Sequence, residues 1–558
     1  MITWRDKAYD ELPALSVRKQ TLRRSLRLVT VAWMYGVVWM SCVSGDQVRS
    51  LAKMLGFNDF TFGLMAALPF LTTLGQLQAA IAVERTGFRK LPFIFFGVLH
   101  RLLWIAVAAV PLIMGPSVSA IIVVLFIMGL SHLLGQMSAP AWWTWMGDLI
   151  PRRIRGRYFA RRAQVSQVVQ LIAIIVMSLL LDWSVVPGAE ETYAGQPRLM
   201  WMICAILAVG GIFGAIDILT FRRIREVIPA RSKHYHPVDF SITVGRNPGL
   251  LGRLSYYPRL CMESARVLLL SPLKDRVFRN YVGYGATITF TITVSGLFFW
   301  RYASEWLGFS KLGTNSLFLV IGPLAATLTA RGWGKLLDRF GRRTVLIIAT
   351  IGTIFSLLPW FIAQPDTPVA PIIVKTSNSL AGIVGSVIGR PGWAPFDPSG
   401  NLGAYLLASL GCAIGGASWM GVNLAQTAVM LGFSDGNGRS IYVAASSVLI
   451  NLGGVLGGLT GGVVAQLLVN LQSSPLHIGP LIVNNWMVTF LISLVTRAGS
   501  LIWLRNMPDP GGQSVRNLLR FWGTNTYNLV ASRLFYPLRL FGWSGGYSAD
   551  GRQDPKNK

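Results

Sequence analysis

His132 and Gln136 stand four residues apart, the spacing that brings two side chains onto one face of a helix. An imidazole titrates near neutral pH, so His132 is suited to carrying a proton. Trp419 and Asn423 share that spacing, with Gln426 about a turn further along, and Tyr35 and Trp39 repeat it near the N-terminus. Thr289, Thr291 and Thr293 add hydroxyls within one short stretch. Such groups can stack against and hydrogen-bond a small solute that is neutral or weakly charged. The plainer alternative for His132 is a neutral ring bonded to a neighbouring helix. No nucleophile–base pair, phosphate-binding loop, metal-ligand cluster or pair of catalytic carboxylates stands out. The sequence therefore points away from an enzyme and implies no catalytic residue, metal or cofactor. Cys42, Cys204, Cys261 and Cys412 are not paired at redox or zinc spacing.

The elements that position these residues must themselves be apolar. Of 558 residues, 52% are hydrophobic and 13% charged, and the mean hydropathy is +0.50. A soluble chain carries about 25% charged residues. Runs of ~20 residues almost free of charge recur, each long enough to cross a bilayer of ~30 Å. The spans expected are 27–45, 60–83, 91–114, 118–147, 164–183 and 199–221, then 278–303, 313–336, 343–363, 402–431, 440–470 and 482–504. The fold class is thus an all-α membrane protein of twelve transmembrane helices in two groups of six.

The net charge of +28 is not a nucleic-acid footprint, because the basic residues sit mainly in alternate loops. Arg85, Arg89 and Lys90, then Arg152 to Arg162, Arg222 to Arg225, Arg339 to Arg343 and Arg439 fall on one side. The 182–198 loop, with Glu190 and Glu191, falls on the other. Lys and Arg stay on the cytoplasmic face, so both termini are expected there, in a bacterial inner (plasma) membrane with an anionic inner leaflet. The expected organisation is an N-terminal segment (1–26), a first bundle (27–221), a cytoplasmic linker (222–277), a second bundle (278–504) and a basic tail (505–558). Residues 364–401 form an external or re-entrant insertion, and 246–272 and 513–543 contain amphipathic elements lying on the inner leaflet. Trp142, Trp143 and Trp145 read as an interfacial belt. Asp46 and Asp217 lie near span ends and Arg101 and Arg497 inside spans, free to snorkel or pair. Glycines 453, 457 and 461, with 454, 458 and 462 beside them, read as helix-packing rows.

An internal repeat relates the halves. Leu55-Gly56-Phe57 precedes Glu84-Arg85-Thr86-Gly87-Phe88-Arg89-Lys90, as Leu307-Gly308-Phe309 precedes Asp338-Arg339-Phe340-Gly341-Arg342-Arg343. Gly156-Arg157-Tyr158 corresponds to Gly438-Arg439-Ser440. Two parallel repeats give halves that can rock about a path between them.

Gly334, Asp338, Arg339, Gly341, Arg342 and Arg343 fit the pattern Gly-x-x-x-Asp-Arg-x-Gly-Arg-Arg/Lys. With its second copy, this resembles the signature loop of the major facilitator superfamily of secondary transporters. The resemblance covers roughly residues 25–510 and implies transport of a small molecule by alternating access. It also implies that Asp338 and Glu84 are acids of a charge–dipole latch at the cytoplasmic face. Asp148 and Arg155-Gly156-Arg157 resemble the family's loop between its fourth and fifth helices. The first copy departs from the pattern at Ala80, Glu84 and Phe88, and Ser131-His132-Leu133-Leu134-Gly135 lacks the Arg of proton-driven drug exporters. The alternative is a non-transporting relative that uses its linker and tail to hold other membrane proteins.

Overall fold

The structure, a computed structural model, describes residues 19–73, 89–150, 152–224, 272–387, 401–432, 439–479, 481–505 and 513–518, with a few single positions besides. The linker 225–271 and the tail beyond 520 lie outside the described residues, and with them both amphipathic segments for most of their length.

Among the described residues, eleven helices are long and apolar enough to cross a membrane. A shorter apolar helix, Asp59–Leu71, stands where the second crossing is expected. Counting it, the spans are Lys19–Cys42 continued by Asp46–Met54, Asp59–Leu71, Lys90–Met114, Val118–Leu149, Arg152–Ser184 and Pro197–Thr220. The second group is Arg276–Arg301, Lys311–Phe340, Arg342–Ile362, Asn401–Gly432, Arg439–Leu467 and Asn485–Leu504. Large apolar side chains face outward, such as Phe126 at 69% and Leu328 at 74% exposure, which only lipid would tolerate. The 364–401 region contributes a 17-residue helix, Pro371–Val387, with Ile372, Leu380 and Ile383 exposed.

The first, seventh and eighth spans depart from plain α-helix. The first is interrupted at Gly45, whose φ of 97° suits glycine and where a Cβ would strike Asn315 Oδ1. The backbone N–H of Asp46 donates to that same oxygen at 3.0 Å. The seventh ends in a wide π-type turn, Tyr302–Trp306, and the eighth contains another, Leu317–Ile321; such turns recur at functional sites.

Within the first group the first span packs on the fifth and sixth, and the third on the fourth and sixth. In the second, the seventh packs on the eleventh and twelfth, and the tenth on the eighth and ninth. The principal contacts between groups join the second span to the eleventh and the fifth to the eighth. Exchanging the groups interchanges these two contacts, as a parallel repeat requires.

The glycine rows explain the tightest of these packings. A Cβ at Gly453, Gly457 or Gly461 would meet the seventh span's backbone at Ala286, Phe290 and Val294, while one at Gly458 or Gly462 would meet the second span near Gly63. One row holds the helix within its own group and the other holds the groups together. A branched side chain has no room in either. Gly457→Val should therefore lower unfolding stability by about 1–3 kcal/mol, read as a fall in melting temperature. Gly499→Ala, where a methyl meets open space, should not lower it.

Candidate functional site

One end of the bundle, carrying the 184–197 and 302–311 connections, is closed by buried charge. Arg49 holds three carboxylates: Asp46 at 2.5 Å, Glu191 at 2.8 Å and Glu305 at 3.0 Å. Lys311 pairs with Glu191 and, at 3.0 Å, with Asp46, and donates to Ser50 Oγ at 2.8 Å. Lys53 lies 3.5 Å from Glu191 and 3.6 Å from Glu305. Arg301 pairs with Asp59 and, at 3.0 Å, with Glu305. Asp59 also accepts from Asn485 Nδ2 at 2.9 Å, Gln472 Nε2 at 3.2 Å and Trp486 Nε1 at 3.3 Å. Asp182 completes the set by accepting the backbone N–H groups of Lys311 and Leu312 at 2.8 and 3.0 Å, where the positive end of the eighth span favours an anion.

Asp46, Asp59, Glu191 and Glu305 thus neutralise Arg49, Lys53, Arg301 and Lys311, with Asp182 held by backbone N–H groups beside them, and most of the ion pairs cross between the groups. An apolar cluster surrounds them and also crosses, with Leu51 and Phe62 from one group and Phe298, Tyr302 and Phe490 from the other. At the opposite, Arg-rich end the clusters are separate. One, around Phe93, Trp145 and Phe221, belongs to the first group; the other, around Phe278, Phe340 and Leu504, to the second. Among the described residues, no buried apolar cluster joins the groups there.

Three of the cavities among the described residues lie within the bundle. A central one of about 400 Å³ sits between the groups directly below Arg49 and is lined by His132, Thr293 and Trp300. A second, of about 460 Å³, lies in the first group among Trp39, His100, Arg101, His132, Gln136 and Asp217. The third, of about 430 Å³, lies in the second group and contains Trp360, Trp419, Asn423 and Arg497.

These cavities collect most of the residues picked out by spacing. His132 lines two of them, and Gln136 donates to the Pro69 carbonyl at 3.4 Å. Trp39 lies under Arg101 at 3.3 Å and edge-on to His100. Tyr35 rests on Phe213, and Gln426 is half-buried; neither lines these three cavities. Thr289 and Thr293 bond to carbonyls of their own helix, and Thr291 is buried between helices. The Trp142–Trp145 belt resolves differently: Trp142 and the exposed Trp143 both line the first-group cavity, and Trp145 is fully buried.

The lining is also more charged than spacing alone suggested. Asp217 is the carboxylate 3.5 Å from Arg101. Arg497, only 4% exposed, donates to the Thr353 carbonyl at 2.6 Å and lies 5.3 Å from the Trp419 ring. Its Nε is enclosed without an acceptor, and among the described residues it has no ion pair.

Of the signature loops, Gly341 makes the turn between the eighth and ninth spans at φ 87°. Asp338 and Arg339 are exposed, and Asp338 has no ion pair among the described residues. Arg343 donates to the Arg505 carbonyl at 2.8 Å, and the Gln513 N–H to the Phe340 carbonyl at 2.9 Å, so the start of the tail lies against this loop. Gly334 stands in open space and Arg342 is exposed. Arg89 begins the third span. Glu84, Arg85 and Gly87, and the side chains of Asp148, Arg155 and Arg157, lie outside the described residues; Gly156 is helical.

A sequence model of the Major Facilitator Superfamily matches residues 28–399. The chain belongs to that superfamily. Its members are transporters rather than enzymes. The crystal structure of the nucleoside transporter NupG superposes with a TM-score of 0.51 at 13% identity, covering 88% of this chain and 98% of that one. A POT family transporter in complex with a thioalcohol-conjugated peptide gives 0.53 at 12% identity, covering 87% and 96%. The partially occluded inward-open conformation of the xylose transporter XylE from E. coli gives 0.51 at 11%, covering 89% and 100%. At these identities the likeness is one of fold. No curated protein matches the chain.

The superfamily's duplication accounts for the charge cluster, which spacing rules alone had passed over. Arg49 stands six residues before Leu55-Gly56-Phe57, and Arg301 six before Leu307-Gly308-Phe309. Lys53 and Glu305 stand two before, while Asp59 and Lys311 stand four after the leucine. Asn58 and Ser310, three after it, both cap the following helix, accepting from Thr61 and Gly313. The repeat therefore sets charges at matching offsets in both copies, an Arg in each at the first offset and opposite signs at the other two, so that Arg49 meets Glu305 and Arg301 meets Asp59.

Burial opposes ionisation of the Glu191 carboxyl, but the Arg49 and Lys311 cations outweigh it and hold its pKa below the usual carboxylate range. A carboxyl lowered in the folded state stabilises above its unfolded pKa of about 4.3, and that contribution is lost as pH falls towards the folded value. Glu191→Gln should flatten this acid limb of stability against pH. Arg49→Ala, which removes the cation that three acids share, should cost about 3–5 kcal/mol at neutral pH. An unchanged melting profile in both variants would show the cluster to be solvated.

Proposed function

We propose that this protein is a secondary transporter moving a small, neutral or weakly charged solute by alternating access between residues 27–221 and 278–504. The observation that carries this reading is the asymmetry of closure. Charge and apolar packing join the groups at one end, a central cavity lies beneath, and at the other end the groups keep separate cores. With the Arg-rich loops on the cytoplasmic side, the closed end faces outward and the solute path opens inward. That is the state named for the XylE structure.

Buried ion pairs suit such a gate. Against apolar side chains they add little net stability, but they form only in register and strand charges when half broken. The closed end is therefore bistable. Opening it would expose these charges to water together, and Asp338, now without an ion pair, would be free to latch the opposite end as the superfamily's signature implies. His132, shared by two cavities, is the group placed to couple a proton to the solute.

Reconstitution tests this. Proteoliposomes should show saturable uptake of a solute from a metabolite panel, accelerated by the same solute inside. His132→Ala should slow it at least tenfold, and Asp338→Asn should trap the inward-open state and slow exchange similarly. If no solute on the panel moves and the protein co-purifies stably with a larger complex, the chain is a scaffold rather than a carrier.

A further inference from the structure

Among the described residues, Arg497 is the one charged side chain lining the second-group cavity. It is 4% exposed, and its Nε is enclosed without an acceptor. A guanidinium presents five N–H donors in a planar fork; the Thr353 carbonyl takes one from Nη1. The contrast with Arg101 is instructive, since that cation has Asp217 3.5 Å away. Beside Arg497, Trp419 offers its ring at 5.3 Å. On the same cavity wall Phe318 and Trp360 stack at 5.6 Å with planes 10° apart. One buried cation faces a flat aromatic wall, in about 430 Å³ of space.

We propose that this cavity is an anion subsite in which Arg497 receives the single carboxylate of an amphipathic organic solute, with Trp419 and Trp360 packing against its apolar body. This inference rests on the transporter reading and narrows it, from a weakly charged solute to an organic monocarboxylate. The fork geometry matches a carboxylate, donating two parallel N–H···O bonds. A dianion would find no second cation among the described residues of the cavity wall. A neutral solute would leave the guanidinium without a counter-charge in a low-dielectric site.

The test uses the full chain in detergent, with indole-3-acetate and benzoate as probes and indole-3-acetamide and benzamide as uncharged matches. Thermal stabilisation and tryptophan quenching should saturate at concentrations at least tenfold lower for the acids than for the amides. Arg497→Gln should abolish the preference, and Arg497→Lys should retain part of it, which separates lost charge from lost fold. Succinate and inorganic phosphate should bind at least tenfold more weakly than benzoate. Equal binding of acid and amide, or undiminished acid binding by a folded Arg497→Gln protein, overturns the proposal. So does stabilisation by phosphatidylglycerol micelles alone, which would assign the cation to a lipid headgroup. Monocarboxylate binding that needs Arg497 without any flux in proteoliposomes would uphold the subsite and refute the carrier. Flux of a neutral solute unaffected by Arg497→Gln would do the reverse.

Discussion

A charge inside a membrane protein has no water to screen it, so each must be matched by an opposite charge, a dipole or a ring. Arg49 meets this constraint with three acids drawn from its own helix turn, from the 184–197 connection and from the other group. None of the three positions is independent of the rest. Asp46 is placed by the break at Gly45, Glu191 by Lys311 and Lys53, and Glu305 by the wide turn that follows Arg301. The alignment of the two groups at this end depends on that set of pairs closing together.

Packing brings the charges within reach. The small-residue face of the eleventh span lets the second span approach at Gly63, four residues beyond Asp59. Asp59 then falls among Arg301, Gln472, Asn485 and Trp486, all from the other group. Steric closeness and charge matching thus fix the same register from two directions. The central cavity lies directly beneath, so whatever occupies it is shielded at this end while the cluster holds.

Fold and membrane character were legible in the sequence because both follow from runs of apolar residues and from a duplicated loop. His132, Gln136, Trp39, Trp419 and Asn423 were legible as cavity lining because four-residue spacing on an apolar helix is a local signal. His100 and Arg101 meet Asp217 from two distant places in the chain, and their meeting depends on helix packing that no local pattern encodes. The charges at the closed end were a different case. They sit at span ends, where ionisable residues are ordinary, and look unremarkable one at a time. Their matching offsets from Leu55-Gly56-Phe57 and Leu307-Gly308-Phe309 were the available signal, visible only when the charges of one copy are compared with those of the other. Thr289 and Thr291 misled because a hydroxyl inside a membrane helix can return its hydrogen bond to its own backbone.

The rocking of the two groups is tested most directly by paired spin-label distances at both ends. One label pair would replace Ser119 and Ser474, exposed at the closed end; the other would replace Arg222 and Arg505 at the Arg-rich end. In a protein carrying Arg49→Ala and Arg301→Ala, the first distance should lengthen and the second shorten together, with the wild type held in the opposite arrangement. Both distances staying fixed in the variant, or both lengthening, would contradict a gate that trades closure at one end for opening at the other.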